Sequence, residues 1–195
     1  DAIKEAFSVE KVTKDFYQEI SYWYFWACQK CKFPEGAETE ENGRQVSVIR
    51  LITRLIFIWF MRERNLVQGS LFEKDEISQM LTDLGDDSSS YYLAILQNLF
   101  FATLNTKQTE RQFRSQVKGN KGFNPDFGNH YKYRHQSLFT NPDKMQEYFS
   151  DIPFLNGGLF DCLDIKENSL YVDGFSDVKK HQPFVPNLLF FSSEI

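Results

Sequence analysis

The sequence predicts a mainly α protein. We expect a multi-helix bundle around a buried central helix at about 44–64, a long basic loop, and a small irregular or β part towards the C-terminal end. Three observations carry this. The run VIRLITRLIFIWFM, Val48 to Met61, is the most apolar in the chain, and Val48, Leu51, Ile52, Leu55, Ile58 and Trp59 recur at the spacing of one helical face. Val9, Val12, Phe16, Ile20, Trp23 and Ala27 repeat at three and four residues in an earlier stretch. The chain of 195 residues is 42% hydrophobic and 16% aromatic, with 20 Phe, which is enough to bury a large core.

Taken in order, residues 1–8 read as an incoming linker or a helix tail, with Ser8 a plausible N-cap. A long amphipathic helix follows over Val9 to Lys32, and Pro34 and Gly36 stop it. Ala37 to Gly43 is an acidic exposed loop. In the helix at 44–64, Ile49, Ile56, Phe57, Phe60 and Met61 widen the apolar stripe almost all round, the mark of a buried helix. It is shorter than the ~20 residues of a membrane span and is interrupted by Arg50 and Arg54, so no membrane partner is expected. Those two arginines share one side. Either their stems pack while their heads reach water or a carboxylate, or they form a polar seam towards a neighbouring domain or nucleic acid.

Asn65 and Gly69 end this helix. A shorter helix covers Glu73 to Leu84 and stops at Gly85. The loop Asp86 to Ser90 supplies the N-cap of the next, Tyr91 to Asn105, which carries Tyr92, Ile95, Leu96, Leu99, Phe100 and Leu104 on one broad face. The helical core thus spans 9–105. Residues 106–135 form the basic loop region, with a short helix expected over Thr109 to Val117; a loop this long inside a compact domain is usually functional or disordered, and its aromatics argue for order. In the mixed part 136–195, Pro142 opens a helix to Phe149. FLNGGLFD, Phe154 to Asp161, reads as a tight turn. Its Gly157 and Gly158 permit unusual backbone angles, and Phe154, Leu155, Leu159 and Phe160 pin it to the core. Tyr171 and Val172 suggest a strand, and so does LLFF near the end.

Net charge is −5, which excludes a generic polyanion-binding surface. The charge is nevertheless uneven. Lys107 to His135 holds seven Lys and Arg against two acids, a net +5, which leaves −10 for the remainder. Such asymmetry points to an anionic partner at one place. The candidate phosphate contacts are Arg111, Arg114, Lys118, Lys121, Lys132 and Arg134, interleaved with Phe123, Phe127, Tyr131 and Tyr133, which are able to stack on bases or sugars. Two alternatives stay open: a solvated loop that balances the acidic remainder, or a tract, HYKYRH, that binds a neighbouring domain.

Other motifs carry less. Three cysteines make no disulfide framework, so a reducing, cytoplasmic setting is expected. Cys28 and Cys31 form a CxxC without a second pair or a suitably spaced His, and read as helical thiols rather than a zinc site. Asn124-Pro125-Asp126-Phe127 invites comparison with the Asn-Pro-Pro-Tyr loop of amino-methyltransferases, but Asp stands where the second Pro belongs and no Gly-rich cofactor loop is present. Asp161, Asp164 and Lys166 faintly match the acid-x-Lys part of a metal-dependent nuclease, without an upstream acidic strand. The polar start, DAIKEAFSVEK, lacks the apolar segment of a secretory signal. The Asp start and SSEI end suggest a piece of a longer protein.

Several tracts together resemble one known region. AFSVEKVTKDFYQEI, RLIFIWFMRERNLV, SSSYYLAILQNLFFATLNT, NHYKYRHQSLF and IPFLNGGLFD are similar to the helical region preceding the catalytic domain of Eco57I-like, type IIG restriction-modification enzymes, a family of large DNA adenine methyltransferases. The resemblance covers about Ala6 to Ser192 and is most specific at FLNGGLFD and the core-helix tract. It implies a connector between a nuclease domain and a methyltransferase domain, in an enzyme acting on double-stranded DNA. S-adenosylmethionine and Mg²⁺ are expected in that parent enzyme and not in this stretch. No catalytic, cofactor-binding or metal-binding residue is carried over, because no family motif of that kind maps onto this chain. An inter-domain or protein–protein adaptor without nucleic-acid contact is the alternative, and an unrecognised hydrolase a third reading.

Overall fold

The computed structural model describes residues 2–116, 131–155, 157–165 and 169–191, apart from the side chains of 2–10 and 116. It is mainly helical. The described β pairing is confined to isolated bridges: Lys32 with Phe184, Leu81 with Phe139, Phe113 with Tyr133, and Ile165 with Leu170.

Helix α1, Ala2–Lys30, takes in the expected amphipathic stretch but begins inside residues 1–8, so Ser8 lies within the helix and is not its N-cap. Its C-terminal end enters the core through Ala27 and the following Cys31, both fully buried. Pro34 then starts the single turn α2, Glu35–Glu38. The Glu38 carboxylate accepts from the Phe33 N–H and from Arg44, tying the end of α1 to the start of α3, Gly43–Glu63. The two long helices therefore run back past each other as a hairpin. Helix α3 ends in a Schellman motif: Leu66 N–H donates to Met61 O and Asn65 N–H to Arg62 O, with Asn65 left-handed at φ 55°. The stop read at Asn65 is thus a backbone requirement that Asn meets at small cost.

The centre of the molecule lies elsewhere than the sequence suggests. Helix α3 buries one stripe, Val48, Leu51, Arg54, Ile58 and Met61, while Ile49, Phe57, Trp59 and Phe60 stand exposed. The element buried on every side is Tyr91–Leu104, all fourteen residues of it, wound as a π-helix. The expectation of a buried central helix at 44–64 is corrected accordingly. Apolar residues all round a helix mean that water is excluded, but not which element excludes it. The π-helix has no charged residue and places Gln97, Asn98 and Thr103 inside, each hydrogen-bonded. Runs of this winding are rare and cluster at special sites. Here the threonine hydroxyls follow the wider spacing, Thr103 to Asn98 O and Thr106 to Phe101 O.

Helices α4, Lys74–Met80, and α5, Pro142–Ser150, add Ile77, Met80, Met145 and Phe149 to the same core. The latter opens as expected, with Pro142 in its first turn and the Asn141 side chain accepting from Lys144 N–H at 3.1 Å. Two expectations fail. Residues 109–116 form short 3₁₀ turns, Gln108–Glu110 and Arg114–Gln116, because Phe113 leaves helical geometry to bridge Tyr133. LLFF is a helical turn, α6 (Leu188–Phe191), and not a strand; its aromatics pack against Tyr91. A third expectation also fails: Tyr171 and Val172 lie in no strand.

Candidate nucleic-acid interface

The basic segment leaves the π-helix at its C-terminal end, where carbonyl oxygens lack helical partners. Arg111 answers that need. Its guanidinium donates to Thr103 O and Phe149 O at 2.8 Å each, to Thr106 O at 3.1 Å and to Ser150 O at 3.3 Å. One cation thus caps the ends of two helices, and partial burial lowers its pKa. Arg134 is buried almost completely, its guanidinium 5.3 Å from the centre of the Phe175 ring. Its backbone is gripped by Asn98, which accepts from Arg134 N–H at 2.8 Å and donates to Arg134 O at 3.0 Å.

Arg114 is nearer the surface, whereas Lys132 is buried. Arg114 pairs with Asp177 at 2.9 Å. Burial pushes the Asp177 carboxyl up, but the His135 N–H at 2.7 Å, with the charges of His135, Arg114 and Arg134, outweighs it and holds the group below its ordinary value. The Lys132 ammonium donates to Glu110 O and sits 4.9 Å from the Tyr131 ring centre. Burial lowers its pKa, against the raising effect of Glu110. Lys118 and Lys121, with Phe123, Phe127 and the Asn124-Pro125-Asp126-Phe127 tract, lie outside the described residues. Beside this cluster an open cleft of about 570 Å³ is lined by Asn105, Lys107, Glu110, Tyr131, Phe154 and Asp161. Its charges are of both signs, and the exposed Lys107 and Tyr131 face solvent there.

The sequence did not show which partners Arg54 would meet in a buried charge network. Arg54 is buried, donating to Leu159 O at 2.9 Å, to Asp161 O at 3.0 Å and to Asp173 at 3.0 Å, while its guanidinium stacks on Phe101 at 4.9 Å. Of the two readings left open for this arginine, its head meets a carboxylate. Asp164 accepts from four successive backbone N–H groups, Val172 to Phe175, at 2.7–2.9 Å. A carboxylate filling a nest of amides is a structural staple. Asp161 takes Asn105 at 3.0 Å, and Lys166 lies outside the described residues. The acid-x-Lys comparison therefore meets carboxylates already engaged by the fold. The only sequence signal for this network was Arg54, a cation in an otherwise apolar stripe.

FLNGGLFD is part of the same network, but for another reason than its glycines. Gly157 has an extended φ of −164° and open space where a Cβ would stand, so no unusual angle is used there. Its anchors are Leu155 N–H on Leu104 O at 2.7 Å, the buried Phe160, and the carbonyls held by Arg54. Of the four residues expected to pin it, Leu155, Leu159 and Phe160 pack on the core, whereas Phe154 is 36% exposed.

Cys28 and Cys31 are free thiols. Burial pushes Cys31 up to about 12, with the neighbouring Cys28 adding to the shift. Among the described residues, no cluster of three or more His, Cys, Asp or Glu is placed to hold a metal ion. No described helix is long and apolar enough to cross a membrane.

No family model matches the chain, and no solved structure matches it. The chain is 30% identical over 126 residues to a Methanocaldococcus jannaschii protein named "Putative type II restriction enzyme and methyltransferase". The match takes in 63% of this chain and 8% of that protein, so the chain spans a small part of the relative it matches. The chain is thus similar to one stretch of a restriction-modification protein.

Proposed function

We propose that this chain is a non-catalytic helical connector of a DNA restriction-modification enzyme of the Eco57I-like, type IIG kind. In this reading 1–195 forms one connector unit of a larger cytoplasmic protein. It holds a nuclease domain and a DNA adenine methyltransferase domain, which bind Mg²⁺ and S-adenosylmethionine, and it touches the DNA backbone through the basic segment. The observation that carries the reading is the similarity to a short stretch of the M. jannaschii protein, whose name includes both activities. The engagement of Arg54 and Asp173 in a cross-link between distant segments, and of Asp164 in a local nest of amides, supports a mechanical role over a chemical one.

The DNA contact falls to Lys118 and Lys121, with Arg114 able to join them only by exchanging Asp177 for phosphate, while Lys132 is buried. Arg111 and Arg134 shape the surface from inside. The adaptor reading without nucleic acid is favoured by one observation: each described candidate cation already holds a carbonyl, a carboxylate or a ring. Duplex binding measured against salt separates the two. Lys118→Ala/Lys121→Ala should weaken binding and reduce the slope of log affinity against log salt by ~2, about 0.9 for each phosphate no longer neutralised. An unchanged slope removes the DNA contact. Methyl transfer from S-adenosylmethionine to adenine by the intact polypeptide, unchanged in these variants apart from DNA affinity, tests the parent assignment.

A further inference from the structure

Within the fold, the FLNGGLFD turn has no use for its two glycines. Neither Gly157 nor Gly158 has a positive φ. A Cβ on Gly157 would meet nothing within 4 Å, and one on Gly158 only the Asp161 carboxylate, at 3.5 Å. Bare backbone that the chain itself does not need leaves room for another molecule to come close. The two ends of the turn, Phe154 and Asp161, both line the cleft of about 570 Å³ beside the basic segment. Three apolar side chains are exposed in that cleft: Tyr131 at 42%, Leu163 at 37% and Phe154 at 36%. The fold anchors the two rings without covering them. Thr106 Oγ1 donates to Tyr131 O at 3.3 Å, and the Lys132 ammonium lies 4.9 Å from the Tyr131 ring centre. Leu155, next to Phe154, donates its N–H to Leu104 O at 2.7 Å. Polar groups share the lining. Lys107 and Glu110 are exposed there. Asp161 accepts from the Asn105 amide at 3.0 Å through one carboxylate oxygen, which leaves the other open.

We propose that this cleft binds a single nucleotide. Its base stacks on Tyr131 and Phe154, an exocyclic amino group on the base donates to Asp161, and its phosphate pairs with Lys107. The inference deepens the DNA contact proposed above, which falls to other residues, Lys118 and Lys121. The lining argues against simpler ligands. An apolar segment would bury Lys107 and Glu110 without partners. A bare anion would meet two carboxylates for one ammonium. Among the described residues no three metal ligands converge to hold a cation. A nucleotide combines a flat ring, N–H donors and negative charge in one small molecule. Bases stack on aromatic side chains whatever their sequence, and carboxylates accept from amino-bearing bases. The volume is that of a small-molecule site, typically about 300–1,000 Å³.

Calorimetric titration of the intact polypeptide tests this, in saturating S-adenosylmethionine so that a cofactor pocket in another domain is already filled. The probes are deoxyadenosine monophosphate and a DNA duplex with one bulged adenine. Each is compared with a partner that lacks the base, deoxyribose phosphate or an abasic bulge. At least one adenine probe should bind about tenfold more tightly than its baseless partner, the gain from stacking. Tyr131→Ala and Phe154→Ala should each bring that ratio towards one, while Tyr131→Phe keeps it. Hypoxanthine, which lacks the amino group, should bind roughly fivefold more weakly than adenine, and Asp161→Asn should remove that difference. A response to the bulged duplex alone assigns the cleft to a strand, and to the monophosphate alone, to a free nucleotide. A ratio near one in the unaltered protein, a ratio that survives both alanine variants, or equal binding of hypoxanthine and adenine overturns the proposal. The salt slope of Lys118→Ala/Lys121→Ala on the same duplexes separates the two readings. An unchanged slope with the base preference intact sinks the phosphate contact and keeps this site; a reduced slope without base preference does the reverse.

Discussion

Arg54 and Asp173 are both within a few per cent of complete burial, so neither is solvated if the other is removed. Replacing one partner leaves a buried charge, which costs about 3–5 kcal/mol. Arg54→Met should lower the unfolding free energy measured in denaturant by that order, and Arg54→Met/Asp173→Asn should recover part of it. Equal losses in the single and double variants would show that packing on Phe101 matters more than charge. Asp177 gives a milder, titratable case. Its folded pKa is depressed below the ordinary 3.8, so it contributes stability at neutral pH that is lost as pH falls through and below that value. Asp177→Asn should flatten this acid limb of the stability curve measured by thermal unfolding. Cys31 acts at the other end. Its raised pKa favours the folded state below the ordinary 9.0, and that stability is lost as pH rises towards about 12. Alkaline unfolding should therefore begin at higher pH in Cys31→Ala.

Among the elements, the FLNGGLFD turn and the segment it faces reverse the usual expectation for glycine. Gly157 sits in extended backbone with nothing near it, so Gly157→Ala should change stability by less than about 0.5 kcal/mol. Gly174 has φ +63° and lies tight against His181 O and Pro34, where an added Cβ has no room. Gly174→Ala should destabilise by more than the ~1 kcal/mol of the left-handed region alone. Comparing the two unfolding midpoints checks the assignment of the turn to its carbonyl and Phe160 anchors. The contrast could not be read from the motif, where the paired glycines draw the eye and Gly174 does not.

For the whole molecule, the question is which helix the rest surrounds. Ile95 is fully buried in the π-helix, while Phe60 of α3 is 65% exposed. Ile95→Ala should cost about 2–5 kcal/mol in chemical unfolding. Phe60→Ala should cost under about 1 kcal/mol. The reverse order would restore α3 to the centre.

By itself, the sequence determined the helical class, the amphipathic stretch within α1, the stop at Asn65 and the place of Pro142 in a first turn. Each is a local matter of periodicity, a missing N–H or a left-handed residue. It also located the basic segment, because charge is counted without knowing the fold. Only the tertiary structure decided that Tyr91–Leu104 is the core and that the aromatics of α3 face outward, since hydrophobicity reports a preference for apolar surroundings and not their source. It alone paired Arg54 with Asp173 and turned Arg111 and Arg134 inward. Those pairings join residues 36–119 positions apart, and no local pattern encodes which buried cation will meet which carbonyl or carboxylate.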